Sequence, residues 1–199
     1  MPKAVFIDRD GVINQKPREG EYITSWGDFH ILPGVAVAIT LLKKAGYAVI
    51  VVTNQRCVAK GLIGIAGLEE IHARMRESLA RSGATLDRIY YCPHNFQSQC
   101  KCRKPAPGML LEAAQALSLD LGSSWMVGDS DIDIQAGKNA GCKTARVVGP
   151  GEKNLATNKD AESSNYAQVT ASSLLDSVQQ ILTWDAGKET NLERRTLTA

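Results

Sequence analysis

Residues 4–14 read AVFIDRDGVIN. Ala4 to Ile7 is a short apolar run of strand formers, the pattern of a strand buried on both faces of a parallel sheet. The run stops at Asp8, with Asp10 two residues on and Gly11 following as a turn residue. Carboxylates at the end of a buried strand are costly unless a cation or hydrogen bonds compensate them. The carboxyl edge of an open α/β sheet is also where such folds bind ligands. A strand-end Asp in a magnesium site can serve as a nucleophile and form an acyl-phosphate, while a second Asp handles a proton. The plainer alternative is an Asp-rich turn, and the rest of the chain decides between them.

Outward from this stretch, Asn14 to His30 is polar and irregular and reads as a loop. Pro33 suits the first turn of a helix carrying Val35, Ile39 and Leu42 inward, which Gly46 closes. YAVIVVT is then a buried strand ending at Thr53. Leu68, Ile71, Met75 and Leu79 stripe a second helix that ends near Gly83, with His72 off the stripe and expected in solvent. DRIYYC is a third strand running into CPHNFQSQCKCRKP, and a helix follows Pro107 with Met109, Leu110, Ala113, Ala114 and Leu117 inward. WMVGDSDID supplies a fourth strand and its polar end, Asp131 to Ala140 a helix, KTARVV a fifth strand, and Gln168 to Thr170 a short sixth. Ser172 or Ser173 can cap a last amphipathic helix bearing Leu174, Leu175, Val178, Ile181 and Leu182. This alternation calls for an α/β, doubly wound parallel sheet. One domain is expected over 1–184. Beyond Trp184 the sequence is polar and aperiodic, and a disordered tail is expected over 185–199.

Composition narrows the function classes. The 199 residues are 44% hydrophobic and 22% charged, ordinary for a soluble globular protein. A net charge of +2 makes no case for nucleic acid or a membrane surface as partner. No apolar run reaches transmembrane length and no signal-peptide core opens the chain, so a cytoplasmic location is expected. Five cysteines are an odd number for a disulfide framework.

Four strand ends carry polar groups: Asp8 and Asp10; Thr53, Asn54 and Gln55; Arg103 and Lys104; Asp129 and Asp133. In a parallel sheet these ends share one edge, so the groups can converge. Asp8 and Asp129 can hold Mg²⁺, a hard ion that takes a few carboxylates, waters and phosphate oxygens. Thr53 offers a hydroxyl and a backbone N–H to phosphoryl oxygens, and Lys104 places positive charge where phosphoryl transfer needs it. A second cluster, Cys92, His94, Cys100 and Cys102, reads C-x-H-x₅-C-x-C. Three thiolates and an imidazole suit tetrahedral zinc, although the spacing is not the usual finger pattern and disulfides are the competing reading.

Taken in order, DRDG, TNQ, RKP and GDSDID resemble the four motifs of the haloacid dehalogenase-like hydrolases, over roughly residues 4–148. DRDGVIN, TNQ, IYYCPH, CKCRKPAPGM and DIQAG further resemble the heptose 1,7-bisphosphate phosphatases and the related histidinol-phosphate phosphatases. The resemblance implies a Rossmann-like core without a large cap domain. It implies that Asp8 attacks phosphorus, that Asp10 protonates the leaving oxygen and then activates water, and that Thr53 and Lys104 hold the phosphoryl group. Mg²⁺ would lie on Asp8, the backbone carbonyl of Asp10, and Asp129. Glu19, Gly20, Glu21 and Tyr22, then Thr53, Asn54, Gln55 and Arg56, and also Arg103, would contact a small sugar bisphosphate. The relatives carry a structural zinc in the cysteine loop, which would put Zn²⁺ on Cys92, His94, Cys100 and Cys102.

The implied activity is removal of the C7 phosphate of a heptose bisphosphate on the route to nucleotide-activated heptose of the lipopolysaccharide core, by a monomer. The same chemistry on histidinol phosphate is the alternative. A catalytically idle, zinc-stabilised binding module is the reading from another class. Lys16, Arg18, Arg56 and Lys60 are further cations that could meet a second phosphate. One departure falls after TNQ, where the heptose enzymes tend to have Ser-Gly and this chain has Arg56-Cys57.

Overall fold

The structure is a computed structural model that describes residues 1–149 and 167–196, with side chains described as far as 187. Among the described residues, six parallel strands form one sheet: β1 (Ala4–Ile7), β2 (Ala48–Asn54), β3 (Arg88–Cys92), β4 (Trp125–Gly128), β5 (Lys143–Val147) and β6 (Val169–Ala171). Their spatial order is β3-β2-β1-β4-β5-β6. The chain winds outward from β1 through β2 to β3, then returns to the other side of β1 for β4. The strand order therefore reverses between β1 and β4, the switch point at which doubly wound sheets open a crevice for ligands. Ile7, the last residue of β1, pairs with Val51 and Val127, so the residues that follow it run between the ends of β2 and β4.

The α-helices of the described residues cover the sheet: α1 (Val35–Lys44), α2 (Ile65–Arg81), α3 (Gly108–Leu117), α4 (Asp131–Ala140) and α5 (Leu174–Thr196). Strand side chains alternate between faces. Val5, Ile7, Val49 and Val51 meet α1, α2 and α5 through Ile39, Leu42, Ile71, Met75, Val178 and Ile181. Ala4, Phe6, Ile50 and Val52 meet α3 and α4 through Met109, Leu110, Ala113 and Ala136. Both faces are covered, which explains why these strands read as continuous apolar runs. No helix among the described residues is long and apolar enough to cross a membrane.

Most expected elements lie where the periodicity puts them, and the differences have local causes. Helix α1 starts at Val35, behind a left-handed Gly34 (φ 80°), so Pro33 precedes it. Ser173 caps α5, its hydroxyl accepting from the Asp176 N–H at 3.1 Å. His72 is buried, with 5% exposed, where solvent was expected. It lies beside Ile71 on α2 and turns toward a buried guanidinium described below. The expected boundary at residue 184 also moves, because α5 continues past Trp184 to Thr196. Asp185 is buried and accepts hydrogen bonds from Tyr47, Trp125 and Lys143. An aperiodic sequence hides this because one polar side chain with three partners leaves no hydrophobic stripe. Residues 197–199 of the expected tail lie outside the described residues.

Candidate active site

Asp8 is the first residue past β1, and its backbone N–H donates to Val127 O at 2.9 Å. The main chain then tightens into a turn, with the N–H groups of Ile13 and Asn14 returning to Arg9 O. Gly11 is required in this turn. Its φ is +94°, and a Cβ there would stand 2.2 Å from Asp129 Oδ2. Across the switch point, Asp129 follows β4 and Asp133 lies in the first turn of α4. One oxygen from each of Asp8, Asp129 and Asp133 falls within 4.8 Å of the others.

Lys104 enters this carboxylate cluster from the loop after β3. Its ammonium, almost fully buried, lies 2.6 Å from Asp8 Oδ1, 2.7 Å from Asp133 Oδ1 and 2.7 Å from Val52 O. The other Asp133 oxygen accepts from the backbone and hydroxyl of Ser130, the helix cap. Asn54 aligns the lysine's backbone: its amide donates to Lys104 O and accepts from Lys104 N, both at 3.1 Å. On the solvent side Lys16 reaches Asp129 Oδ2 at 2.7 Å.

Burial pushes Asp8 up to about 7; Lys104 opposes this, and the charges of Asp133 and Asp129 add to it. Asp129 is raised as well, by burial above all. Burial works against the Lys104 charge, but Asp133 and Asp8 outweigh it and hold the ammonium firmly protonated. Three carboxylates thus converge on one buried ammonium, Lys104, and one exposed ammonium, Lys16, and are short of positive charge. Their hard oxygen donors fit a divalent cation such as Mg²⁺. The expected ligands Asp8 and Asp129 are in the cluster, Asp133 joins them, and the Asp10 side chain turns elsewhere.

Asp10 is held by a network that the sequence reading missed. Arg9, completely buried, donates through Nε and Nη2 to Asp10 at 3.0–3.1 Å and through Nη2 to Gln55 Oε1 at 2.9 Å. Gln55 Nε2 in turn donates to Asp10 Oδ2 at 2.9 Å and to Thr53 Oγ1 at 2.8 Å, and Asn14 donates to Asp10 Oδ1 at 3.0 Å. The remaining arm of Arg9 lies 3.1 Å from His72 Nε2. A guanidinium can only donate, so this imidazole is the acceptor and carries its proton on Nδ1. Burial, followed by the Arg9 charge, holds His72 down to about 3, in the neutral form. The one available signal was an arginine inside an otherwise apolar strand-and-turn run, which must find partners when buried.

The cysteine segment closes the other flank. Cys92 Sγ is 3.6 Å from both His94 Nδ1 and Cys100 Sγ, and His94 Nδ1 is 3.3 Å from Cys102 Sγ. All four ligand atoms lie within 4.8 Å of each other, and the cysteines are free thiols. A tetrahedron with ~2.3 Å metal–sulfur bonds has edges of about 3.8 Å, so the group fits Zn²⁺. Burial pushes Cys102 up to about 12, and the neighbouring thiols add to it. Burial also acts on Cys100, but the Arg103 N–H and the neighbouring thiols outweigh it and hold it at about 7. The loop packs tightly on α3, where a Cβ at Gly108 would stand 2.1 Å from Lys101 O.

Arg103 and Arg56 flank this loop. Glu21 and Tyr22 sit with Gly20, Lys16 and Arg18 around a cavity of ≈ 680 Å³ that Leu62 and His30 also line. Glu19 is exposed and is not among the residues lining it. Lys60 lies 4.9 Å over the Tyr22 ring. The structure thus brings Asp8, Lys104 and Asp129 together, sets Asp10, Thr53 and Gln55 beside them, and leaves residues 20–22 on an open rim.

A HAD-hydrolase-like family model matches residues 101–177. The D-glycero-β-D-manno-heptose-1,7-bisphosphate 7-phosphatase of Photorhabdus laumondii is 40% identical over 180 residues, 87% of this chain and 92% of that protein. The enzyme of the same name from Escherichia coli K12 is 40% identical over 185 residues, 89% and 93% of the two chains. Among solved structures, a D,D-heptose 1,7-bisphosphate phosphatase from B. bronchiseptica, complexed with magnesium and phosphate, superposes with a TM-score of 0.80. It shares 36% identity, with 91% of this chain and 98% of that chain covered.

Proposed function

This chain belongs to the haloacid dehalogenase-like hydrolases and is a phosphoric monoester hydrolase, and from that premise we propose that it removes the C7 phosphate of D-glycero-D-manno-heptose 1,7-bisphosphate. The observation that carries the substrate is the 40% identity, over about nine-tenths of both chains, to phosphatases bearing that name. The reaction feeds nucleotide-activated heptose synthesis. The acidic cluster and the magnesium of the similar solved structure support Mg²⁺ as cofactor.

Mg²⁺ held by Asp8, the Asp10 carbonyl and Asp129 would offset the charge of the phosphoryl oxygens and favour the carboxylate form of Asp8. Asp8 attacks phosphorus; its oxygen–phosphorus bond forms as the bond to the sugar oxygen breaks. Asp10 delivers a proton to that oxygen. In the second half Asp10 takes a proton from water, the resulting hydroxide attacks phosphorus, and Asp8 leaves with inorganic phosphate released. Lys104, aligned by Asn54 and Asp133, carries positive charge to the phosphoryl oxygens, and Thr53 Oγ1 stands on the same side. Cys92, His94, Cys100 and Cys102 would hold Zn²⁺ through four protein ligands, the donor set of a structural rather than a catalytic site.

The test is a substrate panel of both heptose bisphosphate anomers, histidinol phosphate and p-nitrophenyl phosphate, each with and without Mg²⁺. Turnover of a bisphosphate that needs Mg²⁺ and exceeds that of histidinol phosphate is expected. A preference for histidinol phosphate ends the heptose reading, and no phosphate release from any substrate leaves the idle module. Asp8→Asn is expected to fold normally and retain less than about a hundredth of wild-type kcat, a barrier increase above ~2.7 kcal/mol.

A further inference from the structure

Phe96 is a large apolar side chain with 65% of its surface exposed, at the tip of the cysteine loop. No core packing accounts for it. Its ring instead carries two guanidiniums: the Arg56 central carbon lies 4.1 Å from the ring centroid and that of Arg103 4.4 Å. Stacking on an aromatic face is a favourable seat for arginine. Each guanidinium has a single further tether. Arg56 Nε donates to Asn95 Oδ1 at 2.8 Å, and Arg103 Nη1 donates to His94 O at 3.2 Å. The other N–H donors of both have no hydrogen-bond partner among the described residues.

Two like charges on one ring repel, a cost that a bound anion would lower. The cations also stand beside the reacting centre. Arg56 follows the Thr53–Gln55 turn, and Arg103 immediately precedes Lys104, whose ammonium is on Asp8.

We propose that Arg56 joins Arg103 in a two-guanidinium fork for the phosphate that is not hydrolysed, and that Phe96 positions both arms. This rests on the sugar-bisphosphate reading above and adds a specificity device to it. The fork selects a substrate with a second, remote dianion, because a monophosphate engaged at Asp8 and Lys104 leaves the fork without a ligand. Bidentate arginine contacts fix the distance between the two phosphates as well as their charge.

The experiment compares heptose 1,7-bisphosphate with heptose 7-phosphate, which differ only in the remote phosphate. The ratio of their kcat/KM values is measured for wild type, Arg56→Ser, Phe96→Leu and Phe96→Tyr. Wild type is expected to favour the bisphosphate. Arg56→Ser should lower that ratio about tenfold, and Phe96→Leu several-fold, through a higher KM for the bisphosphate. Phe96→Tyr keeps the ring and should restore the ratio. Thermal melts of the Phe96 variants should match wild type, since the side chain is exposed. A ratio unchanged within twofold in both Arg56→Ser and Phe96→Leu overturns the fork, as does a wild type indifferent to the second phosphate. Wild type that cleaves p-nitrophenyl phosphate but neither heptose ester fails at the substrate reading itself, and the fork falls with it.

Discussion

At the residue scale, the two carboxylates of DRD have opposite surroundings two positions apart. Asp8 faces other carboxylates and one buried lysine, whereas Asp10 is surrounded by donors from Arg9, Asn14 and Gln55. The donors fix the orientation of Asp10, the residue proposed above to move the proton, while Asp8 is left to the metal and the phosphoryl group. Asp10→Asn should therefore lose at least ~100-fold in kcat with a sugar phosphate, about 2.7 kcal/mol. The loss should be much smaller with p-nitrophenyl phosphate, whose leaving group needs no proton. Equal losses on both substrates would remove the acid role from Asp10. Asp8, Thr53 and Asp129 were legible in the sequence because each follows an apolar run that ends abruptly, and Lys104 through the RKP motif after the cysteine segment. Arg9 and His72 were not. A charged side chain next to a buried strand end reads as a surface residue until its partners, brought from 46 and 63 residues away, are known.

At the scale of elements, the cysteine loop does work for the active site that no single side chain could. It links β3 to Lys104, and the Asn54 amide pair then docks the lysine's backbone against β2. Metal binding in such a loop is folding energy. Cys92→Ser or Cys102→Ser should abolish stoichiometric zinc, lower the melting temperature and raise amide exchange across residues 93–104. Exchange that stays at wild-type levels, or protein purified under reducing conditions without zinc, would refute the structural metal. Helices and strands were readable wherever caps and periodicity agree, as in Asp131–Ala140, which runs from a Ser130 capping box to a left-handed Gly141. The partners of the loop's exposed Phe96 were unreadable, because a cation stacked on a ring leaves no periodic trace.

At the scale of the whole molecule, the C-terminal helix is fastened by Asp185. Burial alone would raise its pKa, but Lys143, Tyr47 and Trp125 outweigh burial and hold it below the ordinary carboxylate range. A depressed folded-state value contributes stability at pH above the unfolded value, ~3.9, and that stability is lost as the pH falls through the folded value. Asp185→Asn should cost about 2 kcal/mol at pH 7 and lower the melting temperature by about 4–8 °C. The gap between variant and wild type should narrow below about pH 4. A gap that is constant with pH would mean that the carboxylate charge contributes nothing. The same long-range architecture sets a timetable for synthesis. The central strand β1 is flanked by β2 and β4, and Ala4 N–H donates to Ser124 Oγ, 120 residues later in the chain. At ~5–20 residues per second, the nascent strand waits on the order of 6–24 s for that neighbour. The cysteine loop leaves the ribosome before β4 does, so its four candidate ligands are all present while one edge of β1 is still bare. The zinc proposed for that loop would thus be available to the growing chain, and not only to the finished enzyme.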